Sequence, residues 1–167
     1  MTTERLTRCA VLAALALAFS YLESMFPLPL PLPGVKLGLA NIVTVFALYA
    51  LGAAEAAAIL LVRVLLGAMF AGNATALLYS LLGGFSALLA MLLLRRCAPL
   101  SVYGVSVGGA AAHNCGQIGA ALLLLGSAAP LAYLPALLLV SLFTGALTGF
   151  IAALLFRAMA NTNLMKP

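Results

Sequence analysis

The chain has 167 residues, of which 66% are apolar and 7% charged, and its mean hydropathy is +1.24. That composition excludes a soluble globular domain and predicts an all-α integral membrane protein: one membrane domain over residues 1–167, with room for roughly six spans of about 20 residues. A net charge of +5 would suggest nucleic acid in a soluble protein, but here the basic residues stand beside the ends of apolar runs and report orientation instead.

Gly, Pro, Asn and paired Arg divide the chain into expected spans at residues 6–26, 37–52, 55–71, 74–94, 101–125 and 131–156. The first follows Arg5 and Arg8 and lacks a clear small-residue cleavage site, so it reads as a retained span and not a signal peptide. Ala10, Ala14 and Ala18 repeat along it at small-xxx-small spacing. Such a stripe serves internal packing or the docking of another membrane protein. Glu23 falls near the outer end of this span.

Next comes a Pro-rich hinge, PLPLPLPGVK over residues 27–36, leading into a helix that carries Asn41 in its first turns. Irregular backbone at membrane depth persists only where protein buries it or where it lines a cavity. The hinge is therefore expected to be an outer lid over a binding site, and Lys36 either contributes a donor there or snorkels to the headgroups.

The second and third expected spans are short and separated only by Gly52, Ala53 and Ala54, which predicts a tight helical hairpin. Arg63 lies near the middle of the third, where an unpaired guanidinium is costly, so something anionic or strongly polar must meet it. Two readings stand: a structural pair with Glu23, or an arginine that binds an anion. Glu55, at the opposite end of Arg63's own span, is expected to reach water. Asn73, Tyr79 and Ser80 add polar groups around the start of the fourth span.

The densest polar set is His113, Asn114 and Gln117 in the fifth span. His113 and Gln117 are four residues apart and share a face with Gly109, while Asn114 lies about 100° around the helix. A side chain or a ligand over Gly109 would meet both. Interhelical packing and ligand binding are both open for this set. Gly104, Gly108, Ala112 and Gly116 form a small-residue stripe in the same span, and Ser141, Gly145 and Gly149 form another in the sixth.

Orientation follows from charge. With the N-terminus inside, Arg5, Arg8, Arg95, Arg96, Arg157 and Lys166 are cytoplasmic, and only Lys36 faces out, so both termini are expected in the cytoplasm. A bacterial cytoplasmic membrane is the expected location.

Enzyme signatures are missing. There is no G-x-S-x-G, no phosphate loop and no Asp, and Glu4, Glu23 and Glu55 are the only acids, so no catalytic residues, cofactor or metal site are expected. His113 is the single histidine, and Cys9, Cys97 and Cys115 look placed for neither a disulfide nor a metal.

The PGVKLGLANIV run, the short hairpin after it and the HNxxQ cluster on a Gly-rich fifth span resemble the Gx transporter family. That family also carries the name heptaprenyl diphosphate synthase component I, and it is similar to the S components of energy-coupling factor (ECF) transporters. The resemblance implies a six-transmembrane-helix bundle with an outward site closed by the loop after the first helix. It also implies an alanine-rich first helix, here Ala10, Ala14 and Ala18, that docks a membrane coupling protein driven by separate ATPases.

The synthase name conflicts with the residues, because prenyl diphosphate synthases bind magnesium-diphosphate through aspartate-rich motifs and this chain has no Asp. The expected function is a substrate-binding subunit for a small, at least partly apolar molecule, with His113, Asn114, Gln117, Arg63, Asn41, Lys36, Glu23 and Asn73 as candidate ligand contacts. The alternative is a non-catalytic membrane subunit associated with prenyl diphosphate or quinone synthesis, or with extracellular electron transfer.

Overall fold

The computed structural model describes residues 3–25, 38–97 and 100–160. The hinge expected at 27–36, with Lys36, lies outside them. Six α-helices follow in order: α1 Thr3–Met25, α2 Asn41–Ala50, α3 Ala53–Ala71, α4 Ala74–Leu94, α5 Val102–Leu125 and α6 Leu134–Ala160, the last entered through a 3₁₀ turn at Ala129–Tyr133.

Helices α3, α4, α5 and α6 pack side by side in chain order, α1 lies against α3, and α2 touches all five other helices. Its position follows from its sequence. NIVTVFALYA is apolar on every side apart from Asn41, Thr44 and the terminal Tyr49, and Asn41 through Leu48 are all buried. A helix that is apolar all round belongs in the middle of a bundle. The outer helices are apolar on their free faces as well: Met69, Phe70, Leu123 and Phe143 are each more than 70% exposed. In water that surface would be a liability, and in a bilayer it is the expected lining.

Four helical segments are long and apolar enough to cross a membrane: Thr3–Met25, Ala53–Phe70, Ala74–Leu94 and Ala129–Met159. The chain is thus a multi-pass membrane protein. α5 has 24 residues, a sufficient length, but its His113, Asn114 and Gln117 dilute its apolar character. The span expected at 37–52 is shorter than the sequence suggested. α2 has 10 residues, about 15 Å at 1.5 Å per residue, roughly half the hydrocarbon thickness. It starts late because Gly38 holds a φ of +85°, a left-handed conformation that interrupts a helix and that L-residues with a side chain rarely adopt.

The small-residue stripes bring helix backbones together. A Cβ added at Gly116 would collide with the Leu82 carbonyl oxygen of α4; one at Gly145 would stand 2.5 Å from Val107 Cα of α5, and one at Gly149 2.9 Å from Tyr103 Cα. Close approach of this kind replaces the hydrophobic drive that lipid removes. The groove over Gly109 is filled by a side chain, Met91 of α4.

At one end of the bundle, Arg95 at the end of α4 donates from Nη1 to the Leu48 carbonyl oxygen (2.7 Å) and lies 4.9 Å above the Tyr49 ring. Phe156 of α6 stacks on Phe46 and meets Tyr49 edge-on. Arg5 of α1 pairs with Glu55 of α3 at 3.7 Å. The C-terminus of α2 therefore lies level with the N-termini of α1 and α3, and its N-terminus ends at mid-depth.

Candidate functional site

Polar side chains gather where α2 stops. Ser20, Glu23, Asn41, Arg63, His113 and Gln117 are all buried, on α1, α2, α3 and α5. Arg63 is about ten residues into α3 and His113 about eleven into α5, which puts both roughly 15–17 Å from the end where Arg95 sits, level with Asn41. Asn41, Arg63 and His113 therefore sit about half-way along the bundle, with Ser20 and Glu23 further along α1, and polar groups buried within a membrane protein are costly and need partners or a purpose.

The contacts link into a chain. The backbone N–H of Gly38 donates to the Glu23 carboxylate. A Cβ on Gly38 would stand 2.9 Å from Asn41 Nδ2 and 3.6 Å from His113 Cδ2, so the entry to α2 rests against α5. His113 and Gln117 in turn lie over Gly83 of α4, each 3.0 Å from where its Cβ would be. The adjacent Gly84 faces Arg63, whose Nη2 is 3.4 Å from the corresponding point. The pair Gly83–Gly84, unremarked in the sequence reading, is what lets α4 run beside this cluster. Its signal was available: two adjacent glycines in a spanning helix cost helix stability and call for a close approach.

Arg63 is only 5% exposed. Its Nη1 donates to Ser20 Oγ at 2.8 Å, while among the described residues Nε and Nη2 have no hydrogen-bond partner. Glu23, one turn beyond Ser20 on α1, attracts the guanidinium. Among the described residues, the hydrogen bond that Arg63 makes goes to Ser20, with Glu23 one turn further along α1. Gln117 Oε1 is likewise buried without a partner among the described residues.

Two candidates stand apart from the cluster. Asn114 turns to α6 and donates from Nδ2 to the Leu137 carbonyl oxygen at 2.8 Å, a helix-to-helix bond. Asn73 is exposed and caps α4, with Oδ1 accepting from the N–H groups of Thr75 (2.8 Å) and Ala76 (3.4 Å). Ala10, Ala14 and Ala18 lie on an exposed face of α1. Cys9, Cys97 and Cys115 are free thiols, and among the described residues no three His, Cys or carboxylate side chains assemble a metal-binding group.

Fold and site together define a helical multi-pass membrane protein with a buried polar cluster beneath a short central helix's N-terminus. The family model for heptaprenyl diphosphate synthase component I matches residues 12–155. The chain belongs to that family, and its name places the protein among components of a larger assembly. No curated protein and no solved structure matches the chain.

Proposed function

We propose that this protein is the membrane substrate-binding subunit of a transporter, S-component-like, for a small and at least partly apolar molecule, and that separate coupling and ATPase subunits energise it. The observation that carries this reading is the buried polar cluster at the blunt end of α2, to which Glu23, Asn41, Arg63, His113 and Gln117 contribute from four helices. All six helices act as membrane elements of a bacterial cytoplasmic membrane, with both termini cytoplasmic as the basic residues indicate. The exposed alanine face of α1 is the docking surface for the coupling protein, and a family name that speaks of a component supports the need for a partner. The chain itself is not an enzyme; it lacks Asp altogether.

Ligand held against the His113–Gln117 face must contact the two orientations of the bundle differently, since equal binding to both would shift nothing. The decisive experiment is native mass spectrometry of the purified protein with its copurified small molecules. His113→Ala combined with Gln117→Ala is expected to abolish retention of that molecule while the helices stay assembled; undiminished retention removes the site. Ala14→Leu is expected to impair copurification with the coupling protein, and normal copurification removes the docking surface.

A second reading draws on the family's name: a non-catalytic membrane subunit serving prenyl diphosphate or quinone synthesis, or extracellular electron transfer. Neighbouring genes for prenyltransferases or flavin-linked redox proteins, in place of transporter ATPases, favour it.

A further inference from the structure

We infer that the molecule held by the buried cluster is a small organic anion that also carries a hydroxyl or amino donor, its carboxylate or phosphate on the inner edge of Arg63 and its donor on Gln117. The inference deepens the substrate-binding reading above by naming the ligand's chemistry, and it rests on that reading.

Contacts around the cluster close into a circuit. Arg63 of α3 bonds to Ser20 of α1, and Glu23 of the same helix accepts from the Gly38 N–H at the entry to α2. Gly38 abuts His113 of α5, which lies with Gln117 over Gly83 of α4, and the adjacent Gly84 faces Arg63 again. Two side chains in this circuit have hydrogen-bonding atoms left over. Arg63 is 5% exposed and Gln117 1%, yet Nε and Nη2 of the first and Oε1 of the second have no hydrogen-bond partner among the described residues. A buried polar atom left unmet costs about 1–3 kcal/mol, and more where it is charged, so a ligand that met both groups would recover that cost.

The leftover atoms define the ligand. Nε and Nη2 form one edge of the guanidinium, the planar fork that bonds two oxygens of a carboxylate or phosphate side by side. Gln117 Oε1 is an acceptor and requires a donor. Gly83 and Gly84 are consecutive on α4, with Cβ positions roughly 5 Å apart. Arg63 Nη2 is 3.4 Å from the second position and Gln117 Cγ 3.0 Å from the first, so one small molecule can reach both. Leu60 Cδ1, 2.7 Å from the Gly84 position, gives its carbon skeleton an apolar neighbour. α2 starts beside the same cluster with no side-chain cap, and the partial positive charge of its N-terminus adds to the attraction for an anion. A neutral ligand would leave the guanidinium edge unmatched, and an anion without a donor would leave Gln117 unmet.

The test uses the full chain purified in a neutral detergent and three probes of one shape: 3-(4-hydroxyphenyl)propanoate, 3-phenylpropanoate and the neutral 3-(4-hydroxyphenyl)propanamide. Affinities come from the rise in melting temperature with probe concentration. The hydroxy acid is expected to bind at least about tenfold more tightly than its amide, the worth of one charge-assisted contact, and about threefold more tightly than the acid without the hydroxyl. Arg63→Gln is expected to erase the first difference and keep the second; Gln117→Leu does the reverse. Arg63→Lys keeps the charge but loses the fork, and it is expected to retain only part of the acid preference, a readout that stands even where Arg63→Gln fails to fold. Absence of binding by all three probes, equal binding of acid and amide, no gain from the hydroxyl, or a full acid preference in Arg63→Lys overturns the inference. A copurified neutral molecule that is lost in the His113→Ala, Gln117→Ala double variant sinks the anion and leaves the substrate-binding reading standing.

Discussion

The backbone N–H of Gly38 donates to the carboxylate of Glu23, fifteen residues earlier in the chain. This one bond ties the start of α2 to the end of α1. Gly38 also carries a φ of +85° and sits against Asn41 and His113. Gly38→Ala is therefore expected to cost about 1–2 kcal/mol from the left-handed backbone alone, and more from the approach to Asn41. Thermal unfolding in detergent measures it, and a melting temperature within error of the unaltered protein would show that Gly38 moves freely.

Two glycines in one helix provide an internal control for the packing of α4 on α5. A methyl at Gly116 meets the Leu82 carbonyl, whereas nothing lies within 4 Å of the same position on Gly119. Gly116→Ala is expected to destabilise by roughly 1–3 kcal/mol through overpacking, and Gly119→Ala to be neutral or slightly stabilising. Equal effects at both sites contradict the close backbone approach.

Asn114 separates structure from binding. Loss of its bond to the Leu137 carbonyl in Asn114→Ala is expected to cost about 1 kcal/mol, in line with interhelical hydrogen bonds in membranes. Retention of the copurified ligand should be unaffected. Loss of ligand at unchanged stability assigns Asn114 to the site after all.

Arg95 holds the far end of α2. Arg95→Ala removes the 2.7 Å bond to the Leu48 carbonyl and the contact with the Tyr49 ring, with an expected cost of about 1–3 kcal/mol. Arg95→Lys keeps the charge but not the planar reach and should fall between. An unfolding titration that ranks alanine and arginine together excludes the clamp.

Much of this arrangement was legible in the chain, because its signals are local. Gly and Pro punctuation located six helices, and the spacing of His113 and Gln117 put both on one face, where they now lie over Gly83. Three features were not. The late start of α2 depends on the backbone at Gly38, a residue whose identity permits a left-handed turn without requiring one. The partner of Arg63 was sought among acids because charge is visible in a sequence, whereas Ser20 is selected only by how α1 and α3 are juxtaposed. Asn114 differs from its neighbours only by the helix it faces, and that direction depends on where α6 lies.

The brevity of α2 bears on how the protein reaches the membrane. A run of 10 residues is too short to partition into a bilayer as an independent span, which takes about 20. Longer helices can insert singly and associate afterwards, but α2 has only the walls supplied by its five neighbours. Its entry must await the chain that follows it, through α6. A nascent chain arrested before α6 emerges would carry α2 without its final seat, and that intermediate is the natural point for quality control to act.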